Sequence, residues 1–474
     1  MPAPVPRFSI EEICFFERDV VLRLPFRFGA ATVTSCPQVY VRARIRLPDG
    51  RTSEGCAAEM MIPKWFDKNP ELSNEDNFAQ LRRALQLARA AYTSSNDAQS
   101  AWGHFAAHYQ SLMHAGRLAG LNPLVTSYGP ALLDRALLDA LCLHASCSFA
   151  QAMSTNLCGM VPAELAPDLR GFDFDAFAQA QQARTRIAAR HTVGLADAIE
   201  DTDLPAADTP RDGLPASLQA AIARYGHHYF KLKLCGDTHA DVQRLARIAQ
   251  LIDPIAELVT LDGNEQYADA AAFEDFLDAF LATPELRALA KRCAFIEQPI
   301  QRATALQHDL SAAAARMPLL VDESDSQIGS FLEAQPLGYT GVSSKSCKGF
   351  FKSVINAARC AQAGAQRRLF LSGEDLTMQA GVGVQQDLAL VGWLGLTHVE
   401  RNGHHYVNGM AALPEDEQRN FLRAYPALYV QSDGAVRLRI ENGELDLSSL
   451  SAAAGFGGTG VAAGIQWDAM RTTW

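Results

Sequence analysis

The alternation of apolar and polar positions predicts two different folds along the chain. Near the start, apolar and basic residues alternate over 17–28 and 39–47, which predicts an antiparallel sheet with one solvent-facing side. Between 77 and 117 the period becomes helical, and 128–145 is a strongly apolar helix. We therefore expect residues 1–145 to form an α+β domain.

From about residue 190 onward, short apolar runs alternate with amphipathic helices, and such repeating strand–helix units form a parallel sheet. About seven units predict a (β/α) TIM-type barrel over 146–413. A doubly wound open sheet is the alternative, but no glycine-rich phosphate loop follows any strand. The strands of 414–474 do not fit another unit, so we expect them to pack back on the first domain. The predicted barrel strands are 191–195, 229–234, 258–261, 293–296, 319–321, 340–344 and 368–371.

The composition is that of an ordinary globular protein. Of the 474 residues, 48% are hydrophobic and 20% are charged, and the length suits two domains or a large barrel with an accessory domain. The net charge of −11 disfavours nucleic acid and anionic membranes as partners. The cysteines show no C-x-x-C spacing, no apolar run is long enough to span a membrane, and the first residues lack a signal-peptide pattern. We therefore expect a cytoplasmic protein.

Two lysines lie two residues apart in one predicted strand, YFKLKLC. Because successive residues of a strand face opposite sides, Lys231 and Lys233 project to the same face. Like charges repel and burial disfavours both charged forms, so the pair requires carboxylates nearby. Without such carboxylates, a K-x-K pattern is typical of a solvated strand edge.

Charged residues at the ends of later strands supply those carboxylates. Asp262, Glu297 and Asp322 follow three successive predicted strands, and Lys345 and Glu374 follow the next two. In a (β/α) barrel these strand ends meet at the active-site face. Three carboxylates converging there would repel one another unless a cation joined them. Oxygen-only ligands favour Mg²⁺, with Mn²⁺ as the alternative.

The motifs around these residues resemble the muconate-lactonising (mandelate racemase/muconate lactonizing enzyme) type of the enolase superfamily. They are KLK at 231–233, LDGNEQY at 261–267, IEQPI at 296–300, VDES at 321–324 and SSK at 343–345. The resemblance runs over about 190–375. It implies a modified TIM-type barrel with an N-terminal α+β capping domain that C-terminal strands complete.

The resemblance also implies roles for the charged residues. The implied metal ligands are Asp262, Glu297 and Asp322. The implied catalytic residues are Lys233, Lys345, Lys231 and Glu374. Lys233 and Lys345 would be the acid/base pair on opposite faces of the substrate, with Lys231 beside Lys233.

Two of these assignments have competitors nearby in the chain. The glycine pair usual after the sixth-strand lysine is replaced here, so Lys348 competes with Lys345 for the place facing the metal. Strand periodicity and the motif favour Lys345. Glu323 and Asp325 compete with Asp322 as ligands, and we interpret them as helix-capping or supporting groups.

Other segments have two interpretations each. The aromatic segment 60–68 and the loop 28–34 belong either to the core or to a lid over the pocket. His404 and His405 lie late enough in the chain to approach the barrel mouth, but we interpret them as loop residues. His227 precedes its strand and is expected at the other end of the barrel.

We expect a Mg²⁺-dependent enzyme that abstracts the proton α to a substrate carboxylate through an enediolate, as a racemase or epimerase, a cycloisomerase or a syn-dehydratase. An acid-sugar dehydratase of the same superfamily is an alternative, although that group places a histidine where this chain has Glu374. A non-catalytic, metal-dependent protein that binds small acids is another, against which the paired lysines argue. The expected partners are a small carboxylate substrate and further copies of the chain, with no nucleic acid and no membrane.

Overall fold

Three antiparallel strands form a sheet in the first part of the chain. The computed structural model describes residues 5–204, 209–458 and 464–472. The strands are β1 (Ser9–Phe28), β2 (Ala31–Arg46) and β3 (Thr52–Met60), in the order β1-β2-β3. The register of β1 against β2 shifts between Val21 and Phe26, and such an irregularity bends a hairpin.

Three helices cover this sheet: α1 (Asn74–Tyr92), α2 (Ala101–Leu118) and α3 (Pro123–Ala145). The side chains of Ser73, Ser100 and Asn122 cap their first turns by accepting backbone hydrogen bonds. Helix α3 packs on β3, α1 and α2 and is buried along most of its length. This position explains why its sequence is apolar on nearly every side.

Eight parallel strands form a closed barrel in the second part of the chain. Each strand pairs with its neighbours in sequence, and the last pairs with the first, which excludes the open-sheet alternative. The predicted fold class is therefore confirmed. The strands are β4 (Arg186–Val193), β5 (Tyr229–Lys233), β6 (Leu258–Asp262), β7 (Cys293–Glu297), β8 (Leu319–Val321), β9 (Tyr339–Ser344), β10 (Phe370–Gly373) and β11 (His398–Arg401).

The eighth strand, β11, is absent from the predicted set. Its four residues, HVER, contain a single aliphatic side chain and so form no apolar run. β4 also begins five residues before its predicted start, at Arg186. Short and partly polar strands of this kind are recognised from their barrel neighbours rather than from their own sequence.

Helices surround the barrel and connect its strands. They are α4 (Phe149–Ser154), α5 (Phe174–Ala180), α6 (Leu218–Tyr225), α7 (Thr238–Ile252), α8 (Ala270–Ala282), α9 (Arg287–Arg292), α10 (Ser311–Ala314), α11 (Ser330–Ala334), α12 (Phe350–Arg367), α13 (Val382–Trp393) and α14 (Gly403–Tyr406). The backbone of α12 is interrupted at Gly364, whose φ is 60°. Among the described residues, no helix combines the length and apolarity that crossing a membrane requires.

The last part of the chain contacts both the first domain and the barrel. It contains α15 (Glu415–Ala424), the hairpin β12 (Tyr429–Ser432) and β13 (Ala435–Leu438), then β14 (Glu444–Asp446) and α16 (Ser448–Ser451). On α15, Glu417 accepts a hydrogen bond of 2.5 Å from Arg18 of β1. β14 pairs antiparallel with barrel strand β4. The domain boundaries 1–145, 146–413 and 414–474 stay predictions.

Candidate active site

Strand pairing brings the predicted site residues to one end of the barrel. Lys233 pairs with Asp262 across β5 and β6, and Asp262 pairs with Glu297 across β6 and β7. Asp322 directly follows β8, and Lys345 directly follows β9. All five side chains are buried. The carboxyl ends of the strands therefore form one enclosed polar site, as expected for this architecture.

Lys231 lies at the centre of four carboxylates. Its Nζ is 2.9 Å from Asp262 Oδ2 and 2.7 Å from Glu297 Oε2. The same atom is 2.8 Å from Glu374 Oε2 and 3.1 Å from Glu400 Oε2. Burial alone would lower the pKa of Lys231, but the four carboxylates outweigh it and raise the pKa well above its ordinary value. Lys231 is thus a fixed positive charge that holds the carboxylates together.

Glu374 is held as an anion on the barrel wall. Arg190 of β4 donates to its Oε1, and Ser372 Oγ donates to the same oxygen at 2.5 Å. Burial would raise the pKa of Glu374, but Arg190 and Lys231 outweigh it and lower the pKa to about 2. At neutral pH, Glu374 therefore carries a negative charge that helps to hold Lys231.

Glu400 of β11 completes this group and is missing from the sequence-based set. It contacts Lys231, and its Oε1 accepts a hydrogen bond of 2.6 Å from Thr192 Oγ1. Because HVER contains no apolar run, its sequence predicts no strand and does not point to Glu400. The signal that could have found it was an acidic residue near the end of a short strand, as in LVTLD and CAFIE.

Asp322 contacts both lysines that compete for the sixth-strand position. Lys345 Nζ is 2.6 Å from Asp322 Oδ2 and 4.3 Å from the centre of the Trp65 ring. Lys348 Nζ is 3.0 Å from the Asp322 carbonyl oxygen and 3.0 Å from Asp325 Oδ2. Lys345 lines the cavity described below, whereas Lys348 is occupied by backbone and carboxylate oxygens beneath it. This placement agrees with the choice of Lys345 over Lys348, which stays a prediction.

The competing carboxylates have other partners. Glu323 Oε1 accepts a hydrogen bond of 3.4 Å from Asn264 and lies 3.9 Å from Lys68 of the first domain. Asp325 lies between Lys348 and Lys352, each at 3.0 Å. Neither carboxylate contacts Lys231 in the described structure, so both are placed to support the site rather than to share its centre.

A cavity of about 20 Å³ separates the barrel mouth from the first domain. Lys233 and Lys345 line it from the barrel, and Phe28, Ile62 and Trp65 line it from the first domain. A space of this size holds about one water molecule. An organic acid therefore fits only if side chains that line the cavity move, and Phe28, Ile62 and Trp65 are the ones that the two possible lid segments, 28–34 and 60–68, contribute.

The carboxylates have the chemistry of a site for a hard divalent cation. Asp262, Glu297 and Asp322 offer only oxygen atoms, which Mg²⁺ prefers. Glu297 Oε1 is buried and has no hydrogen-bond partner among the described residues. Burial, together with the negative charges of Asp262 and Glu374, raises the pKa of Glu297 well above its ordinary value. The negative charge of Glu297 is therefore incompletely balanced, as expected of a ligand for a cation.

The three carboxylates face different cations in this structure. Asp262 and Glu297 face Lys231, whereas Asp322 faces Lys345. Sharing one ion requires that they turn towards each other. The residues fit the predicted metal in chemistry and burial, and their roles as ligands stay predictions.

The sequence of the barrel matches a known family. Residues 214–414 match the model of the enolase C-terminal domain-like family. This part of the barrel is similar to the enolase C-terminal domain. The resemblance seen in the five motifs is thereby confirmed. No curated protein sequence matches the chain.

Solved structures extend the likeness in fold over most of the chain. A dipeptide epimerase from Methylococcus capsulatus, complexed with Mg and the dipeptide L-Arg-D-Lys, aligns with a TM-score of 0.55 and 17% identity over 92% of this chain and 99% of its own. Muconate lactonizing enzyme from Pseudomonas fluorescens, complexed with muconolactone, gives a TM-score of 0.59 and 17% identity over 96% of each chain. N-succinyl Arg/Lys racemase from Bacillus cereus gives 0.56 and 15% identity, over 84% of this chain and 89% of its own. At these identities the likeness establishes the fold.

Proposed function

We propose that this enolase-superfamily protein is a magnesium-dependent isomerase or lyase that removes the proton α to a substrate carboxylate. One observation carries the proposal: Lys233 and Lys345 line the same small cavity. Each lysine is paired with a different carboxylate, Asp262 or Asp322, at 2.6 Å. A protein that only binds an acid has no need of two proton-carrying groups around one enclosed space.

The strands that carry the two lysines lie on opposite sides of the barrel, which supports a two-sided arrangement around a substrate. Lys233 ends the second barrel strand and Lys345 follows the sixth, which lies across the barrel. An α-carbon held between them has one Nζ on each side. If one lysine takes the proton and the other returns one, the centre is inverted. If a single lysine works as acid and base, the same pair serves cycloisomerisation or loss of water.

The surrounding charges set the starting state of the pair. Burial would lower the pKa of Lys345, but the Asp322 carboxylate outweighs it and raises the pKa. Lys345 is therefore protonated at neutral pH and can donate a proton. A bound Mg²⁺ would hold the substrate carboxylate, stabilise the negative charge left by the departing proton and compete with the lysines for Asp262 and Asp322. The solved epimerase structure that carries Mg and a dipeptide supports this assignment.

Deuterium uptake from the solvent tests the proposal across a range of candidate substrates. A set of α-substituted carboxylic acids, including dipeptides, N-acylated amino acids and 2-hydroxy acids, is incubated with protein and Mg²⁺ in D₂O and followed by NMR. We expect at least one acid to exchange its α-proton. Lys345→Met should abolish interconversion of that acid's antipodes, with a loss of at least about 10²–10⁴-fold, while exchange persists in the antipode that faces Lys233.

Lys348→Met is the matched control, because Lys348 is equally buried and also contacts Asp322 but does not line the cavity. It should retain both exchange and interconversion. Equal exchange of both antipodes by Lys345→Met would refute the two-sided arrangement. Binding of acids with no exchange of any of them would favour the non-catalytic alternative.

A further inference from the structure

Three histidines from distant parts of the chain meet on the outside of the barrel. They are His191 of β4, His227 just before β5, and His404 of α14. His191 Nδ1 lies 3.2 Å from His404 Nε2, and His227 Nε2 lies 3.2 Å from the same atom. All three side chains are buried. One ring nitrogen of each lies within 4.8 Å of the others.

This histidine cluster is separate from the carboxylate site. On β4, Arg190 and Thr192 contact Glu374 and Glu400 inside the barrel. Because side chains alternate along a strand, His191 points to the outer face. There the ring of Tyr225, at the end of α6, packs against His404 with centroids 5.1 Å apart.

Hydrogen bonds between the three rings cannot satisfy all of the ring nitrogens that face one another. His227 Nδ1 lies 3.2 Å from the carbonyl oxygen of Ala189, which assigns the ring proton to Nδ1 and leaves a lone pair on Nε2. His404 Nε2 then has at most one proton for two nitrogen neighbours. If His191 Nδ1 carries the proton instead, two lone pairs face each other between His227 and His404. His404 Nδ1 is also buried without a hydrogen-bond partner among the described residues.

A metal ion resolves the conflict, because each ring can then contribute a lone pair. Zinc binds histidine nitrogen at about 2.0–2.1 Å, so two ligands of a tetrahedral site lie about 3.3 Å apart. The two distances of 3.2 Å match that spacing. The hydrogen bond from His227 Nδ1 to a backbone carbonyl is the support that zinc-bound histidines usually have.

We propose that His191, His227 and His404 form a second metal site, for Zn²⁺ or another divalent transition ion that prefers imidazole. The site is distinct from the Mg²⁺ site in ligand type, since imidazole selects transition metals and carboxylates select Mg²⁺. His404 also lines a cavity of about 140 Å³ that includes Arg224 and Arg437. That cavity has room for a water or small anion to complete the coordination.

The metal site would link the first and last barrel strands, β4 and β11, whose pairing closes the barrel. His191 lies on the first barrel strand, and His404 follows the last one, which pairs with it. The neighbouring His405 offers its carbonyl oxygen to Arg23 of β1 at 2.7 Å, so the same turn also contacts the first domain. A metal here joins three segments that are far apart in sequence, and its binding is expected to raise the melting temperature.

Calorimetric titration of the full, chelator-treated chain with Zn²⁺, in excess Mg²⁺, tests the proposal. We expect one Zn²⁺ per chain that Mg²⁺ does not displace. His227→Gln and His404→Gln should each weaken it by at least the roughly 10–100-fold that loss of even a supporting residue costs. His228→Gln is the matched control: its ring contacts the carbonyl of Ile255 outside the cluster, and it should bind as the wild type does. Cobalt loading should give tetrahedral visible absorption bands in the wild type and His228→Gln, but not in His404→Gln.

If Zn²⁺ binds instead at surface groups such as the exposed Cys235, its affinity will be the same in the histidine variants as in the wild type. That result would overturn the proposal. Failure of the Mg²⁺-saturated protein to bind Zn²⁺ would overturn it as well. If the histidine variants do not fold, anomalous diffraction from zinc-soaked wild-type crystals decides. A peak among the three ring nitrogens supports the site, and a peak elsewhere alone refutes it.

Discussion

At the scale of single residues, Glu297 contacts the central Lys231 through Oε2 at 2.7 Å, while its Oε1 is buried and has no hydrogen-bond partner among the described residues. We predict that Glu297→Gln weakens Mg²⁺ binding by at least about tenfold, because an anionic ligand is replaced by a neutral amide. Calorimetric titration with Mg²⁺ measures the change.

Glu323→Gln is the matched control for that measurement. Its carboxylate is equally buried and close in space but contacts Asn264 and Lys68 rather than Lys231. Its effect should be smaller than that of Glu297→Gln. A Glu297→Gln variant with wild-type affinity, or a larger loss in Glu323→Gln, would show that the ligands are assigned wrongly.

His398 gives a pH dependence whose sign follows from its surroundings. Burial and the adjacent Arg190 lower the pKa of His398 from 6.5 to about 3. Between these values the unfolded chain binds a proton that the folded protein does not, so stability falls as the pH falls from 6.5 towards 3. The slope from one such group is at most about 1.4 kcal/mol per pH unit.

Denaturant unfolding at several pH values measures this contribution. His398→Asn keeps an acceptor for Arg190, which contacts His398 Nδ1 at 2.8 Å, but does not titrate. Other buried histidines contribute slopes of the same sign, so the prediction concerns the difference between the wild type and His398→Asn. The variant should lose less stability than the wild type when the pH is lowered. Parallel curves for wild type and variant would contradict it.

At the scale of elements, the motifs could be placed before the structure because strand ends follow a simple rule. The barrel strands LVTLD and CAFIE end in Asp262 and Glu297, Asp322 directly follows LLV, and all three side chains lie at the barrel mouth. Glu400 was missed because β11 carries no apolar run, and its pairing with β4 depends on closure of the whole barrel. The histidine cluster was missed because its members lie on three elements that no local pattern connects.

The segment after β3 shows what local patterns leave open. Its aromatic residues suit a core or a lid equally well in sequence. In the structure Trp65 is buried, as a core residue would be, and its ring also faces Lys345 at 4.3 Å. Whether Trp65 can act on the pocket depends on how closely the first domain packs against the barrel. The sequence of the first domain alone does not specify that packing.

We predict that Trp65→Ala lowers kcat/KM at least about tenfold on whichever acid exchanges in D₂O. The change removes the cation–π contact to Lys345, worth up to about 2 kcal/mol when desolvated, and opens the cavity to water. Trp467→Ala is the control, because Trp467 packs on Phe16 and Tyr40 of the first domain and does not line the cavity. Wild-type kinetics in Trp65→Ala would exclude the lid role.

At the scale of the whole molecule, the periodicity of the sequence predicts an α+β domain followed by a barrel. It does not predict how the final segment of the chain contacts these two parts. The final segment was expected on the first domain. It contacts β1 through Glu417, yet it also adds β14 to the barrel. Such joins depend on long-range pairing between residues with no shared motif, so composition and periodicity could not specify them.

The first domain and the barrel should unfold as one body. Arg302 of the barrel donates to the carbonyl oxygens of Trp65 and Phe66 at 2.8 and 3.0 Å. Ser346 donates to Glu59 at 3.1 Å, and Gln386 donates to the carbonyl of Cys56 at 2.8 Å. These contacts hold the first domain against the barrel at several separate points, so we expect the two parts not to move independently.

We therefore predict a single calorimetric transition and no stable proteolytic fragment that begins between residues 145 and 190. Partial digestion of the native protein should yield either intact chain or small peptides, with heat-denatured protein as the control that cleavage sites are present. Arg302→Ala removes the two hydrogen bonds to the lid and should lower the single transition temperature without splitting it, because the contacts made by Ser346 and Gln386 persist. Two resolved transitions in the wild type, or a folded barrel fragment released by protease, would show that the parts are independent.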